Sequence, residues 1–240
     1  MVLNDSTVAI VTTASSSRGS GRGFLGATVG AMDVTITKLV HACLLVEVAD
    51  KRILIDPGIF TMRDARFTLD MVDGVDRILI THEHADHVDA DLVRAVVERS
   101  NAAQVESTSS LCQILVDQNI EAVVAGTARF AAPHERIPVG PGPENTGFHV
   151  EGVLSHPGDS HSFVETMPIL AMPFAAPWGS LVAGVDRTRL VDPRYVIPIH
   201  DWFLSEGGKD FMYGLAKSGF SGDDIELVYL KDFETTTLSV

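Results

Sequence analysis

The strongest constraint in this chain is a run of six residues, His82-Glu83-His84-Ala85-Asp86-His87. It follows an apolar stretch at residues 77–81, which predicts a strand, and it precedes residues 90–99, whose spacing predicts a helix. Imidazole and carboxylate side chains are poor core fillers, and burying them is costly unless they are paired or bind a metal. Because zinc and related divalent ions accept both ligand types, the run predicts a metal site in this turn.

The composition favours a single globular domain. The chain has 240 residues, of which 45% are apolar, enough for a substantial core. A formal charge of −14 disfavours a nucleic acid or an anionic membrane as a partner, and no apolar run is long enough to span a bilayer. The two cysteines, Cys43 and Cys112, form neither a zinc-type pair nor a disulfide framework. We therefore expect a reduced, cytoplasmic protein; the sequence carries no signal for an oligomeric state.

The first 31 residues differ from the rest of the chain. Residues 12–26 consist largely of Ser, Gly, Ala and Arg, a composition typical of flexible segments. The N-terminal stretch also lacks the basic region and uninterrupted apolar run of a signal peptide. We expect a flexible N-terminal extension at residues 1–31, followed by one folded domain at residues 32–240.

From Val34 onward the pattern predicts strands, then helices, then strands again. The predicted strands are residues 34–39, 43–48, 52–55, 77–81, 123–124, 148–154, 169–172, 196–199 and 225–230. The predicted helices are residues 90–99, 109–118 and 205–218, with Asp89 and either Ser107 or Thr108 as N-caps of the first two. This order indicates an α/β fold in which sheets and helices form layers.

Several imidazole and carboxylate side chains follow the carboxyl ends of predicted strands, namely Asp56, His82, Asp159 and His200. Strand ends can bring residues that are distant in sequence to one rim of a sheet. His82 and His84 are two residues apart, so an extended backbone points both to the same side. Asp86 and His87 then lie in the turn and face a neighbouring position, an arrangement that fits two adjacent metal ions.

The pattern His82-x-His84-x-Asp86-His87 resembles the signature of the metallo-β-lactamase superfamily. Later elements appear in that superfamily's order: a lone His134, Gly158-Asp159 and a final His200. The resemblance spans residues 34–201 and implies a four-layer αβ/βα sandwich. Asp56-Pro57 and the run at residues 156–159 look most similar to uncharacterised metal-dependent hydrolases related to ascorbate-phosphate lactonase and N-acyl-phosphatidylethanolamine phospholipase.

The resemblance also implies roles for seven ligands. His82, His84 and His134 would hold one ion; Asp86, His87 and His200 would hold a second; Asp159 would bridge the two. The implied cofactors are two divalent ions, zinc first, with manganese or iron as alternatives. Water activated by these ions as hydroxide would attack the substrate, and Asp86 would orient or deprotonate that water.

Other residues of the predicted rim each have two possible roles. His149 competes with His134 as the third histidine ligand, but it falls inside a predicted strand, so we favour His134. Asp56 is expected to accept a hydrogen bond from a ligand histidine, the alternative being a simple turn before Pro57. His156, His161 and Trp178 are candidates for contact with ligands or substrate, with ordinary loop or core positions as the alternative. His41 is interpreted as a pocket wall and not as a ligand.

Three functions are compatible with these features. The first and favoured one is a hydrolase acting on a small-molecule ester, lactone or phosphodiester. The second is a nuclease or phosphodiesterase acting on nucleic acid, which the charge of −14 disfavours. The third is a non-catalytic metal-binding protein of the same fold, disfavoured because every expected ligand position is filled.

Overall fold

The computed structural model describes residues 32–100 and 103–240. The predicted extension at residues 1–31 lies outside the described residues, and its flexibility stays a prediction. In the described part the strands, numbered in chain order, form two sheets. The first contains β1 (Asp33–Lys38), β2 (Leu44–Val48), β3 (Lys51–Ile55), β4 (Arg77–Leu79), β5 (Gln104–Ser107), β6 (Val123–Val124) and β13 (Thr235–Ser239). The second contains β7 (Arg129–Phe130), β8 (Gly147–Val150), β9 (Leu154–His156), β10 (Ile169–Pro173), β11 (Tyr195–Ile199) and β12 (Glu226–Leu227).

Both sheets are mixed. In the first, β1 pairs antiparallel with β13 and β2, β2 pairs antiparallel with β3, and β3 through β6 are parallel. In the second, β9 through β12 are parallel, and β7 and β8 add an antiparallel edge. The helices are α1 (Ile59–Arg63), α2 (Ala90–Arg99), α3 (Ser109–Asp117), α4 (Leu181–Val191) and α5 (Glu206–Gly219), with a 3-10 helix at Leu69–Val72. None of the helices described is both long and apolar enough to cross a bilayer.

The packing confirms the four-layer αβ/βα sandwich. Side chains from the inner faces of both sheets form one core, which includes Ile53, Ile55 and Ile197. On the outer face of the first sheet, Leu54 lies in a second core with residues of α2 and α3. On the outer face of the second sheet, a third core contains residues of α4 and α5. Strands such as β3 are therefore apolar on consecutive residues because both of their faces are buried.

Helix starts follow the predicted capping chemistry. The Asp89 carboxylate accepts hydrogen bonds from the backbone N–H groups of Asp91 and Leu92 at the start of α2. Of the two predicted caps for α3, Thr108 accepts a hydrogen bond from the Leu111 N–H. Helix α2 thus begins three residues after His87, the last residue of the histidine-rich turn.

Two strands predicted in the second half of the chain were wrong in detail, and one helix was missed. Residues 148–154 are not one strand, because Glu151 and Gly152 have φ angles of +45° and +73° and turn the chain between β8 and β9. The strand predicted at residues 225–230 is limited to β12. The last strand is β13, where β-branched threonines pair with β1. Helix α4 was not predicted from the sequence.

A buried ion-pair network joins β1 to the segment after β11. Lys38 and Asp201 are fully buried, and the Lys38 Nζ donates to Asp201 Oδ2 at 2.6 Å. The hydroxyl of Tyr213 donates to the same oxygen at 2.8 Å, and Lys209 pairs with Asp232 at 3.3 Å. Because Asp201 directly follows His200, this network fixes the chain at the end of β11.

We expect Lys38→Met to lower the free energy of unfolding by about 3–5 kcal/mol, because it leaves the Asp201 carboxylate buried without its main cation. The exposed pair Lys51–Glu151 offers a control: Lys51→Met should cost less than about 1 kcal/mol. Urea titration of both variants measures the difference. Burial raises the pKa of Asp201, but Lys38 and Lys209 outweigh it and lower that pKa below its ordinary 3.8.

The stabilisation from Asp201 is therefore present above pH 3.8 and lost as the pH falls through the lower folded-state pKa. A loss below about 1 kcal/mol in Lys38→Met would contradict the role given to this pair.

Candidate metal centre

Side chains from several loops meet beside the ends of the strands and form two groups of possible metal ligands. Site one comprises His82, His84, His134 and Asp159; site two comprises His41, Asp86, His87 and His200. Within each group the possible ligand atoms lie within 4.8 Å of one another. The structure thus brings together all seven residues that the sequence pattern indicated, and it adds His41.

The Asp159 carboxylate lies between the two sites. Its Oδ1 is 3.0 Å from Nε2 of His87 and 3.2 Å from Nε2 of His200, both in site two. Its Oδ2 is 3.4 Å from Nε2 of His134 and 3.8 Å from Nε2 of His82, both in site one. One buried carboxylate therefore presents one oxygen to each site.

Hydrogen bonds around Asp56 fix the orientation of one histidine in each site. In site two, Nδ1 of His87 donates to Asp56 Oδ2 at 2.7 Å. In site one, Nδ1 of His82 lies 3.0 Å from the Thr81 hydroxyl, which itself donates to Asp56 at 2.8 Å. The Thr81 oxygen therefore accepts the proton of His82. Buried Asp56 therefore orients one histidine in each site, His87 directly and His82 through Thr81. Carboxylates that accept hydrogen bonds from metal-binding histidines commonly have this role.

Backbone carbonyls orient two further rings. Nδ1 of His134 donates to the Glu135 carbonyl at 2.6 Å, and Nδ1 of His200 donates to the Ala175 carbonyl at 2.9 Å. A neutral imidazole carries one proton, so a ring that donates through Nδ1 has an acceptor lone pair on Nε2. The Nε2 lone pairs of these rings, like those of His82 and His87, face the two sites.

The donor set fits a divalent metal ion. In residues 32–100 and 103–240, Nε2 of His87, Nε2 of His200 and Oδ1 of Asp159 are buried and have no hydrogen-bond partner. A buried acceptor without a partner costs about 1–3 kcal/mol, and a cation among these atoms would remove that cost. The two sites offer only imidazole nitrogens and carboxylate oxygens, a set that zinc, manganese and iron all accept.

The electrostatics of the site favour a positive charge between Asp159 and the histidines. Burial lowers the pKa of His87, but the carboxylates of Asp159 and Asp56 outweigh it and raise that pKa well above its ordinary value. Burial also lowers the pKa of His200, but the Asp159 carboxylate outweighs it and raises that pKa to about 9. A divalent ion competes with protons for these nitrogens, so metal binding is expected to release protons.

His41 differs from the other residues of site two. Its Nδ1 accepts a hydrogen bond from the Trp202 backbone N–H at 3.2 Å, so the ring proton is on Nε2. That Nε2 lies 3.2 Å from Asp86 Oδ2 and donates to it. Burial and the nearby His200 lower the pKa of His41 to about 4, so the ring is neutral at neutral pH. A nitrogen that carries a proton cannot bind a metal, and His41 is therefore a hydrogen-bond donor to Asp86.

Two glycines allow the site loops to approach each other. A Cβ on Gly58 would overlap the backbone of Asp86, and Ile59 donates its N–H to the Ala85 carbonyl at 2.8 Å. The loop after β3 therefore supports the histidine-rich turn from behind. Gly158 has a φ of +61°, and a Cβ there would overlap the side chain of Thr81. The turn that presents Asp159 thus requires glycine both for conformation and for space.

The remaining predicted site residues lie around these two groups. Nε1 of Trp178 donates to Asp159 Oδ2 at 2.9 Å. His156 is buried, donates from Nε2 to the Ala42 carbonyl and accepts the Gly158 N–H, so it supports the Asp159 turn without facing either site. Of the two competing histidines, His149 stacks on Phe130 and lies outside both groups.

Comparison with known proteins agrees with this geometry. A family model described as a β-lactamase superfamily domain matches residues 35–200. The chain belongs to the metallo-β-lactamase superfamily. Protein Rv0786c of Mycobacterium tuberculosis is 32% identical over 75% of this chain and 89% of its own length. The UPF0173 metal-dependent hydrolase of Caldivirga maquilingensis is 30% identical over 68% of this chain and 79% of its own length.

Solved structures show the same fold. The metallo hydrolase Igni18 from Ignicoccus hospitalis has a TM-score of 0.67 at 20% identity, over 86% of this chain and 98% of the other. A metal-dependent hydrolase structure from Parabacteroides distasonis has a TM-score of 0.65 at 18% identity, over 85% and 94% of the two chains. The family match and the similarity to a metal-dependent hydrolase together show that the protein is a metal-dependent hydrolase.

The tautomer of His41 leads to a prediction that separates its role from that of its neighbours. His41→Ala should leave the metal content of the purified protein unchanged, whereas His200→Ala should lower it. Turnover should fall by about 10-fold or more in His41→Ala, because Asp86 loses the hydrogen bond that orients it. Metal analysis by mass spectrometry gives the stoichiometry, with His149→Ala as the control. A drop in metal content in His41→Ala would instead make His41 a ligand.

Proposed function

We propose that this hydrolase cleaves a small ester, lactone or phosphodiester at a dinuclear metal site. The observation that carries the proposal is the Asp159 carboxylate, with Oδ1 3.0 Å from Nε2 of His87 and Oδ2 3.4 Å from Nε2 of His134. A carboxylate that presents one oxygen to each of two ligand groups is suited to bridging two cations. His82, His84 and His134 would hold one ion, and Asp86, His87 and His200 the other.

Zinc is the ion we propose. Manganese and iron are alternatives because the proposed ligands are imidazoles and carboxylates, with no thiolate that would select zinc. When bound, the two ions would lower the pKa of a water molecule and stabilise negative charge that develops on the substrate. The protein supplies the fixed orientation of the ligand atoms. Trp178 donates to Asp159, and Asp56 accepts from His87, so neither ligand depends on a metal for its orientation.

Asp86 is the residue that we assign to proton handling. Its side chain is 28% exposed, whereas those of His87 and His200 are 0% and 4% exposed. Burial raises the pKa of Asp86, but the neighbouring His200 ring and the hydrogen bond from His41 outweigh it and hold the pKa well below its usual range. Asp86 is therefore an ionised carboxylate at the open side of site two, where it can orient a water molecule or accept its proton.

The clefts beside the site have the dimensions of a small-molecule site. One cleft of about 670 Å³ is lined by Trp178, Glu135 and other residues, and one of about 570 Å³ is lined by His134, Arg136 and three prolines among others. Both volumes are within the range of small-ligand pockets. A chain with a net charge of −14 repels long polyanions, so a small substrate is favoured over a nucleic acid.

The test combines metal analysis with turnover. We expect the purified protein to hydrolyse at least one member of a panel of lactones, p-nitrophenyl esters and bis-p-nitrophenyl phosphate, and a chelator to abolish that turnover. His84→Ala and Asp159→Ala should each reduce metal affinity by well over ~10-fold, because each substitution removes a proposed ligand and not merely a residue hydrogen-bonded to one. His149→Ala, outside both sites, is the matched control.

Two results would contradict the proposal. Unchanged metal stoichiometry in Asp159→Ala would exclude the bridging role of this carboxylate. Chelator-sensitive turnover of single-stranded RNA, with none on the small-molecule panel, would assign the protein to the nucleases instead.

A further inference from the structure

Three aromatic side chains beside site two have no role in holding the ligands. Phe60 lies in α1, and Trp202 and Phe203 follow the end of β11; we call these three residues the aromatic platform. The rings of Phe60 and Trp202 are stacked, with centroids 3.9 Å apart and planes at 7°. Trp202 is 52% exposed and Phe203 is 50% exposed. Ordered aromatic rings that remain this exposed commonly mark a binding surface.

The aromatic platform is continuous with site two. The ring of Phe60 lies 5.3 Å from that of His41, and the ring of Phe203 lies 6.1 Å from that of His200. The same two loops carry both features, since Phe60 is four residues after Asp56 and Trp202 is two residues after His200. When one group of a substrate is bound on these rings, the neighbouring atoms of the same substrate would therefore lie at site two.

The charges around the aromatic platform select the kind of group that it can bind. A pocket of about 330 Å³, large enough for one ring, is lined by Phe60, Arg63, Asp64, Ala65 and Trp202. The Asp64 carboxylate accepts two side-chain hydrogen bonds from Arg66, so its charge is matched there. Arg63 adds a positive charge to the pocket, which disfavours a cationic group on the indole face. The pocket thus suits a planar group that is uncharged or anionic.

We propose that the aromatic platform is the subsite for a planar apolar group of the substrate, adjacent to the bond that is hydrolysed. This inference rests on the proposed function, since the reacting bond is placed at site two. The stacked pair is ordered before binding, so little conformational entropy is lost when a further ring packs on it. The subsite would make the enzyme selective for aryl-substituted esters, lactones or phosphodiesters over their methyl analogues.

A second copy of this chain is a poorer occupant. Trp202 and Phe203 are about half exposed and Phe60 is less exposed, so the three side chains offer roughly 300 Å² of surface. A stable protein–protein interface buries about 800 Å² on each partner. The aromatic platform alone therefore covers less than half of the area that a stable dimer needs, whereas one aromatic ring of a substrate fits it.

Binding of two phosphonates to the metal-loaded, full-length protein tests the proposal. Isothermal titration calorimetry should show phenylphosphonate binding at least about tenfold more tightly than methylphosphonate, since packing one further ring contributes on that order. In Trp202→Ala the two affinities should agree within about threefold, because only the ring is removed and the backbone N–H to His41 remains. Phe211→Ala is the control, because Phe211 is 68% exposed on α5 and outside the platform.

Each outcome decides the proposal. Equal affinities in the unsubstituted protein, or a phenyl preference that survives in Trp202→Ala, would overturn it. Self-association that Trp202→Ala abolishes, seen by analytical ultracentrifugation, would assign the surface to a second copy. Should Trp202→Ala not fold, Phe203→Ala and the phenyl-to-methyl ratio of the unsubstituted protein give the same decision. Absence of turnover with a retained phenyl preference would refute the hydrolytic proposal and leave the subsite standing.

Discussion

The site depends on one interaction, the placement of the Asp159 carboxylate between two sets of histidine nitrogens. A buried carboxylate is costly without a compensating charge. Here Oδ1 lies 3.0 Å from Nε2 of His87, while Trp178 donates to Oδ2 at 2.9 Å. The turn before Asp159 is possible because Gly158 has no side chain, and His156 supports the same turn by accepting the Gly158 N–H. The two sites are thus coupled through a single rigid side chain.

The fold supplies this rigidity by placing site residues just after strands whose faces are both buried. Asp56 and His200 follow β3 and β11 directly, with φ angles of +46° and +66°, and His41 has a φ of +64°. Left-handed backbone at residues other than glycine costs about 1–3 kcal/mol each and persists only where the surroundings hold it. The His200 N–H donates to the His41 carbonyl at 3.1 Å, so two of these strained residues hold each other. Such strain is concentrated at functional sites.

Local patterns predicted most of the fold, and the family resemblance supplied His134 and the grouping of the proposed ligands; prediction failed where the decisive contact is distant in sequence. The apolar runs, the caps of α2 and α3 and the histidine-rich turn all depend on neighbouring residues, and the α/β sandwich was confirmed. His41 was interpreted as a pocket wall because its partner for Nδ1, the Trp202 N–H, is 161 residues away. Its position between the apolar residues Val40 and Ala42 was the one sequence feature that indicated a buried, hydrogen-bonded histidine. The rings of Phe60, Trp202 and Phe203 likewise come together around His41 and His200 only after folding.

Anomalous X-ray diffraction from crystals of the metal-loaded protein tests most directly whether two metal ions share Asp159. Two anomalous peaks are expected in each molecule. One should be bounded by His82, His84 and His134 and the other by Asp86, His87 and His200, with one oxygen of Asp159 facing each peak. A single peak with both Asp159 oxygens on the same ion, or peaks away from these residues, would contradict a shared Asp159.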